Sequence, residues 1–326
     1  MDKNILITSA GKRVSLVRIF QEALKKLSLQ AKVYTTDMKP EMAPAGFVSD
    51  GCFKVPRVTD DDYINRLIDI CCTHNIGLII PTIDTELALL AENKSLLSEK
   101  GVEVIVSSTD FVCACRDKRK TSALFQQLDI CIPEIRDKYH PKFPLFAKPY
   151  DGSLSKDIYV IRNSEELTPE IMQHPKLIFM EYIDKTQYKE FTVDMYYGKD
   201  NKAKAIIPRE RVEIRAGEIN KGYTRKNHLV SFLKERMDYI PGVVGCICIQ
   251  LFYNEMTHKV FGIEINPRFG GGYPLSYYAG ANFPEFLLRE YFLNESLSYT
   301  DGWKDNTLML RYDSEVIVYE EEGVRF

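Results

Sequence analysis

Three side chains with oxygen donors fall on two successive predicted strands. Glu264 and Asn266 lie two residues apart in one run, and because side chains alternate along a strand they project from the same face. Gln250 is a polar residue within the preceding apolar run at residues 246–252, and the turn at residues 254–258 makes the two runs hairpin partners. Mg²⁺ takes oxygens from one or two carboxylates or amides and the remainder from water and phosphate. The pattern predicts a magnesium site, although an amphipathic hairpin with a solvated polar face would alternate in the same way.

Basic side chains accompany this oxygen set. Arg268 follows Asn266 by two residues, where a guanidinium could neutralise charge on a transferring phosphoryl group. Lys148 ends an apolar run and precedes a loop at residues 150–157. The small residues of that loop are Gly152, Ser153 and Ser155. Such a loop can fold its N–H groups over phosphates while the lysine supplies a point charge, but it lacks the GxxxxGK[ST] pattern and a plain hairpin turn would look the same.

A base-binding surface is indicated by the apolar run at residues 177–183, which carries an acid near its end. Glu181 is that acid, and Glu190 opens the next polar-alternating run. An adenine could lie against the apolar side chains while Glu181 and neighbouring backbone groups bond its edge.

Two further segments carry charged side chains that could bind a ligand. Residues 207–215 carry the arginines Arg209, Arg211 and Arg215, which could bind carboxylates or could form a solvated basic strand face. Asp84 follows an apolar run, at the strand end where open α/β sheets bind ligands, and it could equally be a helix cap.

The first hundred residues must form the sheet that positions this part of the site. Short apolar runs alternate with helical patterns, including a helix predicted over residues 85–99, so we expect a parallel sheet with helices on both faces. A dinucleotide-binding interpretation, suggested by Asp37 after the second strand, is disfavoured because residues 8–13 contain no GxGxxG. Lys12 and Arg13 in that turn could still meet an anion, or could simply be solvated.

From about residue 110 the pattern changes to a short helix at residues 118–128 followed by strands joined by tight turns, which predicts an α+β unit with antiparallel sheets. Two short runs at residues 308–312 and 316–319 predict a closing hairpin.

Composition excludes several classes of protein. The chain has 326 residues with 43 basic and 46 acidic side chains, a formal net charge of −3, so no positive field indicates a nucleic-acid partner. No apolar stretch is long enough for a membrane span, and the start MDKNILIT lacks a signal-peptide core, so we expect a cytoplasmic protein. The 8 cysteines include no CxxC pair, which favours reduced thiols over a metal site or disulfides.

In chain order these motifs resemble the ATP-grasp superfamily, and they look close to the ATP-binding domains of the carbamoyl-phosphate synthase large subunit. The resemblance spans residues 110–295. The matching elements are Asp117-Lys118, Phe146-Ala147-Lys148-Pro149, the small-residue loop, Glu181-Tyr182-Ile183, Glu190, Gln250 and Glu264-Ile265-Asn266-Pro267-Arg268.

The resemblance implies a Rossmann-like pre-ATP-grasp domain at residues 1–109 and an ATP-grasp domain at residues 110–295. The latter would divide into an ATP-lid subdomain (110–184) and a catalytic subdomain (185–295), with a hairpin at 296–326 packing on it. The resemblance also implies roles for single residues. Lys118, Lys148 and the small-residue loop would hold ATP phosphates, Glu181, Tyr182 and Ile183 the adenine, Glu190 the ribose, and Gln250, Glu264 and Asn266 the Mg²⁺, with Arg268 acting on the phosphoryl group.

The function expected from the resemblance is an ADP-forming carboxylate ligase that uses ATP with Mg²⁺, or Mn²⁺ in its place. Its partners would be a small-molecule carboxylate and an amine. The loop is poorer in glycine than is usual in the superfamily, and the chain has room for one ATP-grasp copy, so a stand-alone ligase fits better than a complete synthase. A non-catalytic ATP- or metabolite-binding module and a synthase-like subunit remain alternatives, and a homodimer is left open.

Overall fold

The computed structural model describes residues 3–152, 157–215 and 217–319, and these residues form three β-sheets. The first sheet is parallel, and the other two are antiparallel. This is the predicted order, a parallel α/β unit followed by an α+β unit.

The N-terminal sheet has five strands in the order β3-β2-β1-β4-β5, and each neighbouring pair is parallel. The strands are β1 (Asn4–Thr8), β2 (Val33–Asp37), β3 (Cys52–Lys54), β4 (Ile76–Pro81) and β5 (Glu103–Val104). Every residue of β4 is buried, as expected for a central parallel strand covered on both faces. The carboxyl end of β4 therefore presents the following residues at one edge of the sheet.

Five helices accompany this sheet, and a short 3₁₀ turn lies at Pro40–Met42. They are α1 (Val14–Lys26), α2 (Pro44–Phe47), α3 (Tyr63–Thr73), α4 (Asp84–Glu92) and α5 (Lys94–Glu99). The single helix predicted over residues 85–99 is wrong, because α4 and α5 are separate helices that meet at Asn93. The Asn93 side chain donates to the Leu89 carbonyl oxygen at 2.8 Å, a local bond that competes with continuation of the helix.

Two short helices lead into the three-stranded sheet, whose order is β7-β6-β8. The elements are α6 (Thr109–Arg116), α7 (Lys118–Gln127), β6 (Leu145–Pro149), β7 (Tyr159–Ile161), α8 (Pro169–Gln173) and β8 (Leu177–Glu181). Asp117 separates α6 from α7, and its carboxylate accepts from the Arg119 N–H at 2.9 Å as an N-cap. This cap fixes Lys118 as the first residue of α7.

The six-stranded sheet has the order β13-β12-β9-β10-β11-β14 and forms the main body of the second half. Its elements are β9 (Lys189–Tyr197), β10 (Ala203–Arg215), β11 (Glu218–Thr224), α9 (His228–Met237), β12 (Gly245–Tyr253), β13 (Val260–Asn266), α10 (Tyr273–Tyr278), α11 (Phe283–Tyr291) and β14 (Leu308–Leu310). The predicted hairpin of β12 and β13 is confirmed, with Gln250 opposite Glu264 and Cys248 opposite Asn266.

The predicted C-terminal hairpin is wrong for the described residues. Only β14 forms a strand, and it pairs with β11, placing Leu310 opposite Lys221. Residues 311–319 contain no strand. The edge of β11 offers unpaired backbone groups, and the Arg311 N–H donates to the Asn220 carbonyl oxygen at 2.9 Å, so the segment adds to that edge and does not pair with itself.

A shared core joins the N-terminal unit to the six-stranded sheet. The rings of Phe20 on α1 and Phe269 after β13 lie 6.0 Å apart, edge to face, and Lys26 on α1 forms an ion pair with Glu285 on α11 at 2.7 Å. The carboxyl end of the parallel sheet is thereby held against the large sheet. No helix in the described ranges is long and apolar enough to cross a membrane.

Candidate functional site

A cavity of about 760 Å³ lies where the three sheets meet. Thr82 and Asp84 line it from the N-terminal unit, Lys148 from the three-stranded sheet, and Gln250 and Glu264 from the six-stranded sheet. A volume of this size is typical of small-molecule sites.

Two lysines form one wall of the cavity without carboxylate partners among the residues that the structure describes. Lys148 on β6 is 6% exposed, and Lys118 at the start of α7 donates to the Gly152 carbonyl oxygen at 2.6 Å. Burial lowers the pKa of both ammonium groups. For Lys148 the pKa is lowered to about 8, because burial and the nearby Lys118 ammonium together outweigh the opposing effect of Glu264. A buried pair of cations favours an anionic ligand such as a phosphate chain.

The predicted phosphate loop is described only in part. Gly152 lines the cavity beside the lysines. Ser153 and Ser155 lie outside the described residues, so their predicted contacts stay predictions.

The end of β8 forms a less charged part of the wall. Glu181, Tyr182 and Ile183 all line the cavity, near the apolar side chains of Phe146 and Met180. One Glu181 carboxylate oxygen accepts from the Glu134 backbone N–H at 3.0 Å, which fixes the side chain at the rim. The combination of apolar surface and a few oriented polar groups suits a flat heterocycle.

Glu190, at the start of β9, is held between two cations. It pairs with Arg211 at 2.9 Å and with Lys185 at 3.4 Å, and all three residues line the cavity. The two ion pairs hold its carboxylate in the cavity wall.

The three predicted metal-ligand residues meet in the cavity. Gln250 and Glu264 are cross-strand neighbours, and the Asn266 amide N–H donates to a Glu264 carboxylate oxygen at 2.9 Å. This bond uses the amide nitrogen, and no residue that the structure describes donates to the Asn266 amide oxygen. Within the described ranges no group of three His, Cys, Asp or Glu side chains is placed to hold a metal. The candidate metal-binding set consists of one carboxylate and two amides. Such a weak, oxygen-only set fits Mg²⁺ that also binds phosphates and water.

Arg268 lies directly after these ligands, and Asp84 of the N-terminal unit holds it in place. The guanidinium donates to the Asp84 carboxylate at 2.7 Å, while its Nε, buried, has no partner in the described structure. Asp84 is not a helix cap, because Ile83 occupies the N-cap position of α4. The turn before α4 is fixed by the buried Glu86, whose carboxylate accepts from the Thr82 N–H at 2.9 Å.

The two arginines predicted to bind the substrate, Arg209 and Arg215, lie in different surroundings. Arg209 lines the cavity but is 1% exposed and paired with the buried Asp194 at 2.7 Å. Arg215 is not brought to the cavity. Its side chain is 68% exposed and pairs with Asp313 at 3.1 Å, because a register shift between Arg211 and Ile214 breaks the regular alternation of β10. The predicted substrate role of Arg215 is therefore corrected.

Sequence reasoning did not assign several cavity residues to the site. The sequence indicates Arg13 only as an anion contact, and it does not indicate Glu218 or the glycines Gly270, Gly271 and Gly272, which also line the cavity. The one available signal was the run of three glycines directly after Phe269. A Cβ on Gly271 would lie 2.3 Å from a Glu218 carboxylate oxygen, and one on Gly272 would lie 2.2 Å from an Arg209 Nη. The glycines let the backbone approach the charged floor of the cavity.

We predict that Gly272→Ala destabilises the protein and disturbs Arg209. The added methyl would meet both Arg209 and the Ile219 side chain at 2.2–2.3 Å, and such overpacking costs about 1–3 kcal/mol of unfolding free energy. Unfolding in denaturant measures this loss of unfolding free energy. Gly302→Ala is the matched control, because its Cβ would meet only Thr300 at 3.5 Å. Equal unfolding free energies for the two variants would contradict the prediction.

Two family models match the chain. The model of the PylC-like N-terminal domain matches residues 5–105, and the model described as ATP-grasp in the biosynthetic pathway with Ter operon matches residues 173–309. A search of curated proteins finds no match.

Solved structures share the fold at low sequence identity. The biotin carboxylase domain of the Hydrogenobacter thermophilus 2-oxoglutarate carboxylase, in complex with MgADP, ADP and bicarbonate, is 16% identical with a TM-score of 0.69, over 94% of this chain and 74% of that chain. The Staphylococcus aureus N5-carboxyaminoimidazole synthetase complexed with ADP is 16% identical with a TM-score of 0.70, and the match covers 94% of this chain and 80% of that chain. The Bacillus licheniformis L-amino acid ligase is 16% identical with a TM-score of 0.64, and the match covers 89% of this chain and 74% of that chain. The chain thus has the fold of these ATP-grasp enzymes, and it is similar to a PylC-like N-terminal domain over residues 5–105 and to an ATP-grasp family over residues 173–309.

Proposed function

We propose that this protein is an ATP-dependent ligase that phosphorylates a carboxylate to an acyl phosphate, which an amine or similar nucleophile then attacks, with release of ADP and phosphate. The observation that carries the proposal is the placement of the lysine pair, the Gln250-Glu264-Asn266 set and Arg268 around one cavity. Solved structures of the same fold that bind ADP or MgADP support the nucleotide.

The nucleotide would lie between the three-stranded and six-stranded sheets. In this proposal the adenine packs at Glu181, Tyr182 and Ile183, and Glu190 bonds the ribose. The phosphates then reach Lys118, Lys148 and the small-residue loop. This orientation places the terminal phosphate next to the oxygen set and Arg268, at the end of the cavity that the N-terminal unit closes.

Gln250, Glu264 and Asn266 would hold Mg²⁺, which when bound neutralises phosphate charge and orients the terminal phosphate. A carboxylate oxygen of the acceptor attacks the γ-phosphorus, and the bond from that phosphorus to the bridging oxygen of ADP breaks. Arg268 donates to the phosphoryl oxygens, and Asp84 keeps its guanidinium in that position. Catalysis in this scheme is positioning and charge neutralisation, which is what phosphoryl transfer requires.

The proposed domain organisation is the one that the sequence predicts. Residues 1–109 form the pre-ATP-grasp domain, which closes the cavity next to the acceptor, and residues 110–295 form the ATP-grasp domain. The predicted likeness to carbamoyl-phosphate synthase in particular stays a prediction, as do the cytoplasmic location and a homodimer.

The experiment that tests the proposal measures ADP release from MgATP across a panel of carboxylates, each with and without an amine. The ligase proposal predicts that at least one carboxylate raises ADP release above the rate with ATP alone. Binding of MgATP with no carboxylate-dependent release by the folded protein would favour a non-catalytic nucleotide-binding module.

Replacing Lys148 with alanine is expected to weaken ATP binding by roughly 1.5–3 kcal/mol, about a 10- to 150-fold rise in Kd, because a charged hydrogen-bond donor is lost. Calorimetry measures the change. Lys221→Ala is the matched control, since Lys221 is a partly exposed strand lysine paired with Glu213 at 2.7 Å. An unchanged Kd in folded Lys148→Ala would remove Lys148 from the nucleotide site.

The affinity for ATP should also depend on pH through Lys148. Its pKa in the free protein is about 8, and only the protonated form attracts phosphate, so affinity falls as pH rises through that value. We expect Kd to rise by at most about tenfold per pH unit above 8, the limit for one linked proton. Lys148→Arg keeps its charge and should show a flatter profile. Parallel profiles for the two proteins would contradict this assignment.

A further inference from the structure

Most charges in the part of the cavity next to the N-terminal unit balance in pairs. We call this part, lined by Arg13, Asp84, Arg209, Glu218, Arg268 and the three glycines, the acceptor half. Arg268 pairs with Asp84 at 2.7 Å, Arg209 with Asp194 at 2.7 Å, and Glu218 with Arg311 at 2.8 Å. Of the charged residues that define the acceptor half, one cation takes no part in these pairs.

That cation is Arg13, the residue before α1. It is half-buried, and in the part of the chain that the structure describes it forms no ion pair, only a long bond of 3.4 Å to the Thr82 carbonyl oxygen. Burial, followed by the nearby Arg268 guanidinium, lowers the pKa of Arg13, whereas Glu218 and Asp84 oppose the shift. Since those two carboxylates are engaged by Arg311 and Arg268, the charge of Arg13 is only partly compensated. A partly buried cation of this kind favours an anionic ligand.

Three further arginines line the cavity on the side of the six-stranded sheet. The Nε groups of Arg209, Arg211 and Arg268 are buried and have no partner within the described residues. Arginines from two different parts of the chain, the N-terminal turn and the six-stranded sheet side, thus line the same cavity.

We propose that the acceptor half binds a dianion. One group is the carboxylate that is phosphorylated beside Arg268, and the other is a second carboxylate or a phosphate on the same molecule, bound by Arg13. The identity of the first group rests on the proposed function, and the second group is bound without reacting. The glycine run lets the backbone lie close to Glu218 and Arg209 at the floor of this space.

The test measures binding of small anions to the full chain by calorimetry in the absence of nucleotide. The probes are malonate, succinate, glutarate and adipate, each beside its monoamide, which replaces one carboxylate with a neutral group of similar size. Phosphonoacetate and 3-phosphonopropionate replace one carboxylate with a phosphate-like group. At least one dianion should bind about tenfold or more tightly than its matched monoanion, as expected for one charged hydrogen-bond partner. A tighter phosphonate assigns the second group as phosphate, and a tighter dicarboxylate assigns it as carboxylate.

Arg13→Gln should abolish this preference, and Arg13→Lys should retain part of it if the glutamine variant does not fold. Arg215→Gln is the matched control, because Arg215 is exposed and lies outside the cavity, and it should keep the full preference. Equal binding of dianions and monoamides at every length, or a preference that survives in Arg13→Gln, would overturn the proposal. MgATP affinity of the wild type, measured separately, reports on the proposed function and is expected to be unchanged in Arg13→Gln.

Discussion

Replacement of Arg268 by alanine is expected to lower kcat by about 10²–10³-fold, the range for loss of one preorganised donor to a developing charge. ATP affinity should change far less, because the Arg268 contact strengthens mainly in the transition state. The structural reason is the position of the guanidinium, held by Asp84 at 2.7 Å with a buried Nε that has no partner in the described residues. Steady-state kinetics with an active carboxylate, together with ATP calorimetry, separates the two effects.

Two further variants sharpen that prediction. Asp84→Asn keeps the size of the side chain but removes the charge that holds Arg268, so a smaller loss of kcat with unchanged ATP affinity is expected. Arg215→Ala removes an exposed arginine paired with Asp313 and should leave kcat unchanged. A fall in ATP affinity as large as the fall in kcat for Arg268→Ala would mean that Arg268 binds the nucleotide ground state.

Glu264→Gln is expected to keep the fold and lower Mg²⁺-dependent turnover by at least about 10²-fold, since a lost metal ligand charge is worth several kcal/mol. Glu264 is the one carboxylate of the candidate metal set, and it also accepts from the Asn266 amide at 2.9 Å. Turnover measured against Mg²⁺ concentration should show a higher requirement for the ion.

The control for the metal prediction is Glu213→Gln. Glu213 is an exposed strand carboxylate paired with Lys221 at 2.7 Å, and its loss should change neither turnover nor the Mg²⁺ requirement. A Glu264→Gln protein with the wild-type Mg²⁺ requirement would show that other residues hold the ion.

Local patterns in the sequence were enough to predict the central hairpin of the site. Alternation with period two placed Glu264 and Asn266 on one face, and a short turn paired their strand with that of Gln250, as the structure confirms. The parallel and antiparallel sheets were predicted for the same reason, because each follows from the alternation of apolar runs and turns along a short stretch of chain.

Contacts between distant segments could not be predicted in this way. The pairing of Arg268 with Asp84 joins residues 184 positions apart, and the burial of Arg209 depends on Asp194 in the neighbouring strand. The register shift between β10 and β11 turns Arg215 outward. The addition of β14 to β11 depends on the edge that the folded sheet offers. Arg13, in the turn before α1, lines the same cavity as residues more than 200 positions later in the chain, such as Arg268.

The most direct test of the central claim follows the oxygen atoms of the acceptor. The carboxylate found active in the ADP-release panel is labelled with ¹⁸O, and the phosphorus-containing products are analysed by ³¹P NMR. Attack of a carboxylate oxygen on the γ-phosphorus predicts ADP together with inorganic phosphate that carries one ¹⁸O from the carboxylate. Formation of AMP and pyrophosphate, with the label in AMP, would show adenylylation of the carboxylate and would contradict the acyl-phosphate mechanism.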